Sequence, residues 1–489
     1  MKLRNLEWLL LLEIMAVLLC GCQANPRQDV VVSKNDGIFE DRIHNVATNV
    51  DPEKYNHIEN VQYSEEFHST DGSVNFFLHV DQLINQTVLP VVEVSPHFFT
   101  GRDVQNVVQA IFRDATIFEQ EPSVNPQYSK SQLLRKIEFW SKYANERELK
   151  EQLGYYDPSD LDRIKEIIQE YTVKLESAPD SNPHKLCDWQ FRPEEYYLGT
   201  SYGNEIILAT VSTKNAEYQI SAVTRNRDDY KLNGITIGLG SGHDLVNFER
   251  TFYRAELCRT EKPSSDQISA AERKAQDMLD NMGLGTWRVK EGYIETVLYG
   301  DITEYTIRVD AVPILAGAPA HDEQIINNLT ENIYSSCYYM THAFFQFSSN
   351  GELVFFGLDS PVDINKIVNE CVQTYSLDEL VAMAKSHLSL SDAKAEYGIP
   401  SGFYQLYADR FNEELTCQIT ISEIGYGLAR IKVPDADNIY YYVPTLTLIG
   451  ESEYYGKESG KHYLSSNDFM EGNQPLIWIN AVDGSIIEH

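Results

Sequence analysis

Val74-Asn75-Phe76-Phe77-Leu78-His79-Val80-Asp81 places an apolar residue at every second position. Successive side chains of a β-strand point to opposite faces, so this period of two predicts a half-buried strand. Val91–Val94 predicts a second, shorter strand. Behind Thr100, apolar residues at 104, 107, 108 and 111 follow helical spacing and predict a helix that Thr100 caps. Strands and helices without a regular parallel βαβ pattern indicate an α+β fold built from several antiparallel sheet-plus-helix modules.

The C-terminal half contains two sets of the same three markers. Each set has a capping box that predicts a helix start, then a Val-Pro dipeptide that ends a strand region, then a turn whose sequence favours type I′. The markers are Ser269–Glu272, Val312-Pro313 and Asn350-Gly351 in the first set, and Ser376–Glu379, Val443-Pro444 and Asp483-Gly484 in the second. We expect two related helix-and-sheet repeats, with coincidence among common elements as the alternative.

The predicted domain boundaries follow polar and proline-containing stretches. Residues 22–65 are polar and interrupted by Pro26 and Asp51-Pro52, which is typical of a tether, and residues 178–183 contain two prolines, which indicates a break. The sequence therefore predicts a signal peptide at 1–21, a lipidated tether at 22–65, an N-terminal α+β domain at 66–180, a β-rich middle section at 181–262, and helix-plus-sheet modules at 263–365 and 366–489.

The N-terminus has the features of a lipoprotein signal. Lys2 and Arg4 precede the apolar run Trp8–Leu19, which Glu13 interrupts and which is shorter than the roughly 20 residues of a bilayer span. The following Leu19-Cys20-Gly21-Cys22 resembles the bacterial lipobox. This resemblance implies a diacylglycerol on Cys22 and a location on the outer face of the cytoplasmic membrane. A buried N-terminal helix with two incidental cysteines is the alternative.

Charge and cysteine content exclude several classes of function. The formal net charge of −33 argues against nucleic acid as a partner, because phosphates require lysine and arginine. We expect membrane contact only through the lipid on Cys22. Five further cysteines are far apart, so no CxxC metal or redox motif exists. They are Cys187, Cys258, Cys337, Cys371 and Cys417. We expect mostly buried, reduced thiols, although up to two disulfides could form outside the membrane.

Motifs for catalysis, metals and cofactors do not emerge from the sequence. No His-Glu-x-x-His zinc motif occurs. Ser241 lies between two glycines, but Leu239 and His243 occupy the outer glycine positions of the hydrolase elbow. His342 lies beside an apolar strand and is interpreted as a packed side chain. We therefore predict no enzyme, no cofactor and no metal site, while a pair of acidic catalytic residues among the 73 carboxylates has no sequence signature.

Two loops and the tyrosines offer weaker candidates. Gly238–Gly242 could cradle an anion, but it lacks the full phosphate-loop spacing and is interpreted as a turn. Asp435–Asn438 lacks the twelve-residue calcium loop and is interpreted as solvated. Tyrosine doublets in strands would direct one ring inward and one outward, so exposed rings could form a glycan or peptide platform.

Several stretches together resemble an uncharacterised lipoprotein family of clostridia-type Gram-positive bacteria. They are the lipobox at Cys22, Val30–Lys34, Leu89–Val94, Thr100–Phe112, Ser129–Gln132, Tyr442–Pro444 and Ile479–Gly484. This resemblance implies a location and no activity. The repeats more weakly resemble propeptide-type or YpeB-like modules of extracytoplasmic regulators. We therefore expect a non-enzymatic binding or regulatory protein that acts on another cell-envelope protein. A solute- or glycan-binding lipoprotein and an envelope hydrolase are the alternatives.

Overall fold

The structure is a computed structural model that describes most of the 489-residue chain. The described residues are 42–44, 57–70, 72, 74–86, 89–120, 128–153, 158–181, 185–193, 205–213, 216–224, 233–239, 252, 254, 256–258, 261–299, 302–321, 341–390, 413–432, 438–465 and 474–487. They form two compact units. Unit 1 combines the described residues up to Val92 with Ile367–Ile431 and with those from Tyr441 onward, and unit 2 combines Glu93–Lys366 with Lys432–Tyr440.

The structure confirms an α+β fold. The helices are α1 (Gly101–Phe112), α2 (Lys130–Ser141), α3 (Glu146–Leu153), α4 (Pro158–Ser177), α5 (Ser265–Met282) and α6 (Leu377–Leu390). The strands are β1 (His57–His68), β2 (Val74–Gln86), β3 (Val91–Pro96), β4 (Ile117–Glu119), β5 (Arg192–Pro193), β6 (Glu205–Ser212), β7 (Glu217–Thr224), β8 (Asn233–Leu239), β9 (Trp287–Val289), β10 (Tyr293–Tyr299), β11 (Ile302–Leu315), β12 (Ala318–Pro319), β13 (His342–Phe347), β14 (Leu353–Asp359), β15 (Val362–Asn369), β16 (Leu415–Lys432), β17 (Tyr440–Gly456), β18 (His462–Ser465) and β19 (Gln474–Asn480).

Unit 1 is built on a sheet with the strand order β1-β2-β16-β17, and both β18 and β19 pair with β17. The order continues through β3 and β15, the strands within which the chain passes from one unit to the other. β2 and β16 are parallel, with Val74 opposite Cys417, so the sheet is not purely antiparallel. Helix α6 buries Leu380 and Leu388 against one face of this sheet, as its apolar spacing predicts.

Unit 2 is built on a second sheet with the order β10-β11-β13-β14-β8-β7-β6-β4. β9 and β12 also pair with β11, and β5 pairs with β6. One face carries alternate apolar residues such as Ile307, Val309 and Phe345, which form a single core with the apolar sides of α1, α2, α4 and α5. The opposite face carries the alternate residues of the same strands.

Most of the predicted helix starts are confirmed. Thr100 and Asp103 form a reciprocal capping box at α1, and Ser376 and Glu379 do so at α6. The first C-terminal capping box was predicted at the wrong place, because α5 starts at Ser265 and Ser264 pairs with Gln267 as its cap. Ser264–Gln267 and Ser269–Glu272 both match the capping-box pattern. Residues 269–272 lie inside the helix, so only the upstream box caps its start.

The two C-terminal repeats are not equivalent in the way the markers suggest. Val312-Pro313 lies at the end of β11, as predicted, but Val443-Pro444 lies near the start of β17. Gly351 and Gly484 have positive φ angles of 77° and 79°, whereas the residues before them do not, so neither turn is type I′. Each half does contain a helix followed by antiparallel strands.

The predicted domain boundaries are wrong in three places. Residues 57–65, assigned to the tether, belong to β1, which pairs with β2 along its whole length. The proposed domain at 66–180 is divided at Val92 between the two units, and the sections at 181–262 and 263–365 share one sheet. The reason is long-range strand pairing, such as β2 with β16, which leaves no local sequence signal.

Part of the predicted tether, residues 42–44, packs against the rest of unit 1. Ile43 is buried with Val91 and Val482 in unit 1, the Asn369 side chain donates a hydrogen bond to the Ile43 carbonyl at 2.9 Å, and Arg42 donates to the Val482 carbonyl at 3.0 Å. Residues 42–44 are therefore part of the folded unit.

The Ile43 contact predicts the behaviour of two neighbouring variants. Ile43→Ala should lower the free energy of unfolding by about 2–4 kcal/mol, because it removes buried methyl groups and leaves a cavity. His44→Ala, at an exposed position, should change it by less than about 0.5 kcal/mol. Urea unfolding followed by circular dichroism measures both. If the two variants had equal free energies of unfolding, residues 42–44 would belong to the tether rather than to the folded unit.

Candidate functional site

The structure describes only some of the residues singled out from the sequence. Cys22, Ser241, His243, Cys337 and Asp435 lie outside the described residues. Gly238 and Leu239 belong to β8, so the glycine-rich stretch that was interpreted as a turn begins inside a strand. The described cysteines, Cys187, Cys258, Cys371 and Cys417, are thiols rather than disulfides. Burial raises the pKa of Cys187 to about 11 and that of Cys258 to about 12, so neither is a reactive thiolate at neutral pH.

A row of polar and charged side chains lies along one face of β11. Glu304, Thr306, Arg308 and Asp310 occupy alternate positions on the face opposite the core of unit 2. Glu304 and Thr306 are 1% exposed and Asp310 is 5% exposed, so these groups are buried despite facing away from that core. Glu304 accepts a hydrogen bond from Arg254 Nε at 3.1 Å. Buried charges require partners, and the neighbouring strands supply the others.

Glu295 on β10 is held by three donors from two other strands. Its carboxylate accepts hydrogen bonds from Gln346 Nε2 at 2.6 Å, Thr306 Oγ1 at 3.3 Å and Arg308 Nη1 at 3.4 Å. The strand register creates this arrangement, because Glu295 is opposite Thr306, and Arg308 is opposite Gln346. Glu295 therefore links β10, β11 and β13 by charge-assisted hydrogen bonds.

Asp310 is the second anchor of Arg308. Its carboxylate accepts from Arg308 Nε at 3.0 Å and lies 3.1 Å from His342 Nε2. Burial alone would raise the pKa of Asp310, but the hydrogen bond from His342 and the charge of Arg308 outweigh burial and hold that pKa below its ordinary value. Tyr293 also hydrogen-bonds Asp310, and burial together with this carboxylate raises the pKa of the phenol. His342 is thus buried, as predicted, but it belongs to a polar network.

Aromatic rings lie flat on this face because glycine leaves room for them. The Arg308 Cζ atom lies 4.1 Å from the centroid of the Phe344 ring, a cation–π contact. Phe344 stacks on His342 at 5.3 Å and on Phe355 at 5.4 Å. A Cβ at Gly357 would lie 2.5 Å from Phe344 Cε1, so this residue must be glycine for the ring to cover β14. The result is a row of stacked rings beside a fixed cation.

Asp359 differs from the other carboxylates of this face. It is opposite His342 in the register and lies over Gly234 of β8, where a Cβ would be 2.8 Å from Asp359 Oδ1. Within the described part of the chain, no hydrogen-bond donor reaches its carboxylate. Burial raises the pKa of Asp359 and the nearby His342 offsets only part of that effect. Asp359 is half-buried, and its carboxylate oxygens keep some exposure to solvent. Gly234 is opposite Asp359 on β8, and the exposed Thr236 lies two residues further along that strand, opposite Gly357.

We name the recognition face as the outer side of β10, β11, β13, β14 and β8, comprising Tyr293, Glu295, Arg308, Asp310, His342, Phe344, Gln346, Phe355, Asp359 and Thr236. Its chemistry is a charged hydrogen-bond network in which one carboxylate, that of Asp359, has no donor among the described residues. Sequence reasoning identified only His342. The alternation of polar and apolar residues from Glu304 to Asp310 was the available signal, but it is typical of a solvent-facing strand surface.

A smaller cluster lies at the start of α1. His97 Nδ1 is 3.0 Å from Asp363 Oδ1, and its Nε2 is 3.5 Å from Asp103 Oδ2. Asp363 is 61% exposed, so this is a surface cluster rather than a closed site. No cluster of histidine, cysteine or acidic side chains among the described residues, this one included, could hold a metal ion. No helix among them is long and apolar enough to cross a membrane.

Comparisons with known proteins add no functional assignment. No family model and no curated protein matches the sequence. A crystal structure of an uncharacterised protein from Eubacterium rectale ATCC 33656 is similar, with 11% identity, a TM-score of 0.37, and coverage of 86% of this chain and 92% of that one.

The Asp310 network predicts a loss of stability on removal of one charge. Asp310→Asn should lower the free energy of unfolding at pH 7 by about 3 kcal/mol, because it leaves Arg308 buried with only part of its counter-charge. Asp277→Asn is the control: its exposed ion pair with Arg113 should contribute less than about 1 kcal/mol. Urea unfolding measures both losses of unfolding free energy. Equal losses would show that the Asp310 network stabilises the protein no more than an exposed ion pair does.

The same network predicts the direction of a pH dependence. The folded state lowers the pKa of Asp310, so this stabilisation is present above the ordinary value of 3.8 and is lost as the pH falls through the lower, folded-state pKa. The difference in unfolding free energy between the protein and Asp310→Asn should therefore shrink in acid. A difference that stays constant from pH 7 down to pH 3 would contradict this assignment.

Asp359 predicts the opposite sign. Its pKa is raised in the folded state, so its contribution to stability is favourable below the ordinary carboxyl pKa and is lost as the pH rises through the folded-state value. Asp359→Asn should therefore raise the urea midpoint at pH 7 and have little effect at pH 3. Asp363→Asn, at an exposed carboxylate, is the control. Destabilisation by Asp359→Asn at pH 7 would mean that the carboxylate has a donor after all.

Proposed function

We propose that this chain is a non-enzymatic binding or regulatory protein of the bacterial cell envelope. A lipid on Cys22 anchors it to the outer face of the cytoplasmic membrane, and the recognition face of unit 2 contacts its partner, which is another envelope protein. The lipobox-like Leu19-Cys20-Gly21-Cys22 supports the location. The net charge of −33 supports a partner other than nucleic acid.

The observation that carries the binding role is the contrast between the carboxylates of the recognition face. Glu295 and Asp310 are occupied by donors, and the low pKa of Asp310 makes it a weak base. Such groups hold a surface in shape. Asp359 is half-buried, destabilised by its burial and accessible, which is the state of a group that gains from a ligand. Rigid scaffolding around one unsatisfied polar group favours recognition over acid–base chemistry.

A solute- or glycan-binding lipoprotein is the second candidate. The stacked Phe344 and Phe355 rings, with the Gln346 amide and the Thr236 hydroxyl nearby in the register, offer the apolar and polar contacts that sugars require. An envelope hydrolase with acidic catalysis ranks third, because the carboxylates of this face are occupied or lack a paired acid.

Site-specific photo-cross-linking in the native cells tests this proposal. A benzophenone amino acid replaces Thr236, which is exposed on the recognition face, or Asp180, whose side chain is 89% exposed in unit 2, as the matched control. We expect one dominant protein adduct from position 236 and none from 180. The adduct should disappear in the Cys22→Ala background, where the membrane anchor is removed.

Three outcomes would contradict the proposal. Identical adducts from positions 236 and 180 would show that the recognition face has no special role. An adduct that survives Cys22→Ala would show that the lipid anchor does not place the protein beside its partner. An adduct with glycan rather than protein would transfer support to the second candidate.

A further inference from the structure

A half-buried carboxylate that no donor in the described part of the chain reaches requires an explanation, because burial of an unpaired charge costs free energy. Asp359 is held in this condition by its neighbours. Gly234 leaves the space that its carboxylate occupies, and residue 359 is at the end of β14, where the register fixes it opposite His342. His342 directs its Nε2 to Asp310 instead. The strand register thus fixes the position of Asp359, while His342, the residue opposite it, hydrogen-bonds Asp310.

We propose that Asp359 is the counter-ion of a binding site for an alkylammonium group, with the Phe344 ring and the Thr236 hydroxyl as its flanking contacts. The ligand would be a lysine-like side chain or another primary amine on the envelope partner. The inference deepens the proposed function, and it rests on that function only for the identity of the partner.

Charge complementarity supports a cation as the occupant. An ammonium group would replace the lost hydration of Asp359 with a charge-assisted hydrogen bond, which is roughly twice as strong as a neutral one. The aromatic row already accommodates one cation, since Arg308 lies over Phe344. An aromatic ring beside a carboxylate is a favourable environment for an organic cation. The overall charge of −33 also favours the approach of a cationic partner.

A metal ion fits this position less well. Calcium takes six to eight oxygen ligands, and Asp359 belongs to no group of three or more potential metal ligands among the described residues. The other acids on this face are already engaged, Glu295 with three donors and Asp310 with Arg308 and His342. An organic cation, which needs one carboxylate and an aromatic neighbour, matches the groups that remain.

The test uses n-butylammonium chloride as the probe with the full chain at pH 7, read out by saturation-transfer difference NMR. Sodium chloride keeps the ionic strength constant, and 1-butanol is the neutral control of similar size. We expect signal transfer to butylammonium and none to butanol. Asp359→Asn should weaken butylammonium binding by about tenfold or more, because a hydrogen bond to a charged group is worth about 1.5–3 kcal/mol.

The controls separate this inference from the proposed function. Asp277→Asn, at an exposed carboxylate far along the sequence, should bind butylammonium as the unmodified protein does. Asp359→Asn is expected to fold, since removal of its charge relieves the cost of burial. Equal binding by Asp359→Asn, or the absence of binding to the unmodified protein, would overturn the cation site. A partner adduct at position 236 together with either result would leave the proposed function standing without this site.

Discussion

The charges on one face of β11 constrain the register of the neighbouring strands, because a buried charge must have a partner. Glu304, Arg308 and Asp310 would be costly to bury alone. The structure meets this requirement from outside the strand: β10 supplies Glu295, β13 supplies Gln346 and His342, and Arg254 reaches Glu304. The register of β10-β11-β13 is therefore specified twice, by apolar packing on one face and by ion pairing on the other. A shift of one residue would break both.

The strand register produces a surface whose carboxylates differ in their hydrogen-bond donors: Glu295 and Asp310 have several. Arg308 is shared between Glu295 and Asp310 and lies on Phe344, so its position is defined by three neighbours on three strands. Gly357 and Gly234 leave room for a ring and a carboxylate that a Cβ at either position would force to shift. Asp359 is placed by the same strand register, and none of the described residues donates to its carboxylate. Positioning a costly group on rigid elements is how binding sites are built, and it reduces stability for the sake of recognition.

Local features of the fold were predictable from the sequence, and long-range ones were not. The helix at Thr100 and the strands at 74 and 91 follow from apolar periodicity and capping residues, which act over a few positions. The pairing of Val74 with Cys417, and the burial of Ile43 beside Val482, join segments that are hundreds of residues apart. No local pattern encodes those contacts, so the predicted tether was too long and the domains were divided wrongly.

The recognition face was missed for a related reason. The stretch from Glu304 to Asp310 alternates as a strand with one solvated face would, and only the partners on β10 and β13 reveal that this face is buried. His342 was interpreted as a packed side chain, and it is buried. Its hydrogen bond to Asp310 depends on the register between β11 and β13, which are separated by 26 residues of sequence.

The most direct test of this account is a carbon-13 NMR titration of the Asp310 and Asp359 side-chain carboxyls in the intact protein. We expect a pKa below the ordinary aspartate value for Asp310, which is held by Arg308 and His342. We expect a pKa above it for Asp359, which is half-buried and has no donor among the residues that the structure describes. The same pKa for both carboxyls, or the reverse order, would contradict the claim that this face combines a satisfied network with one unsatisfied group.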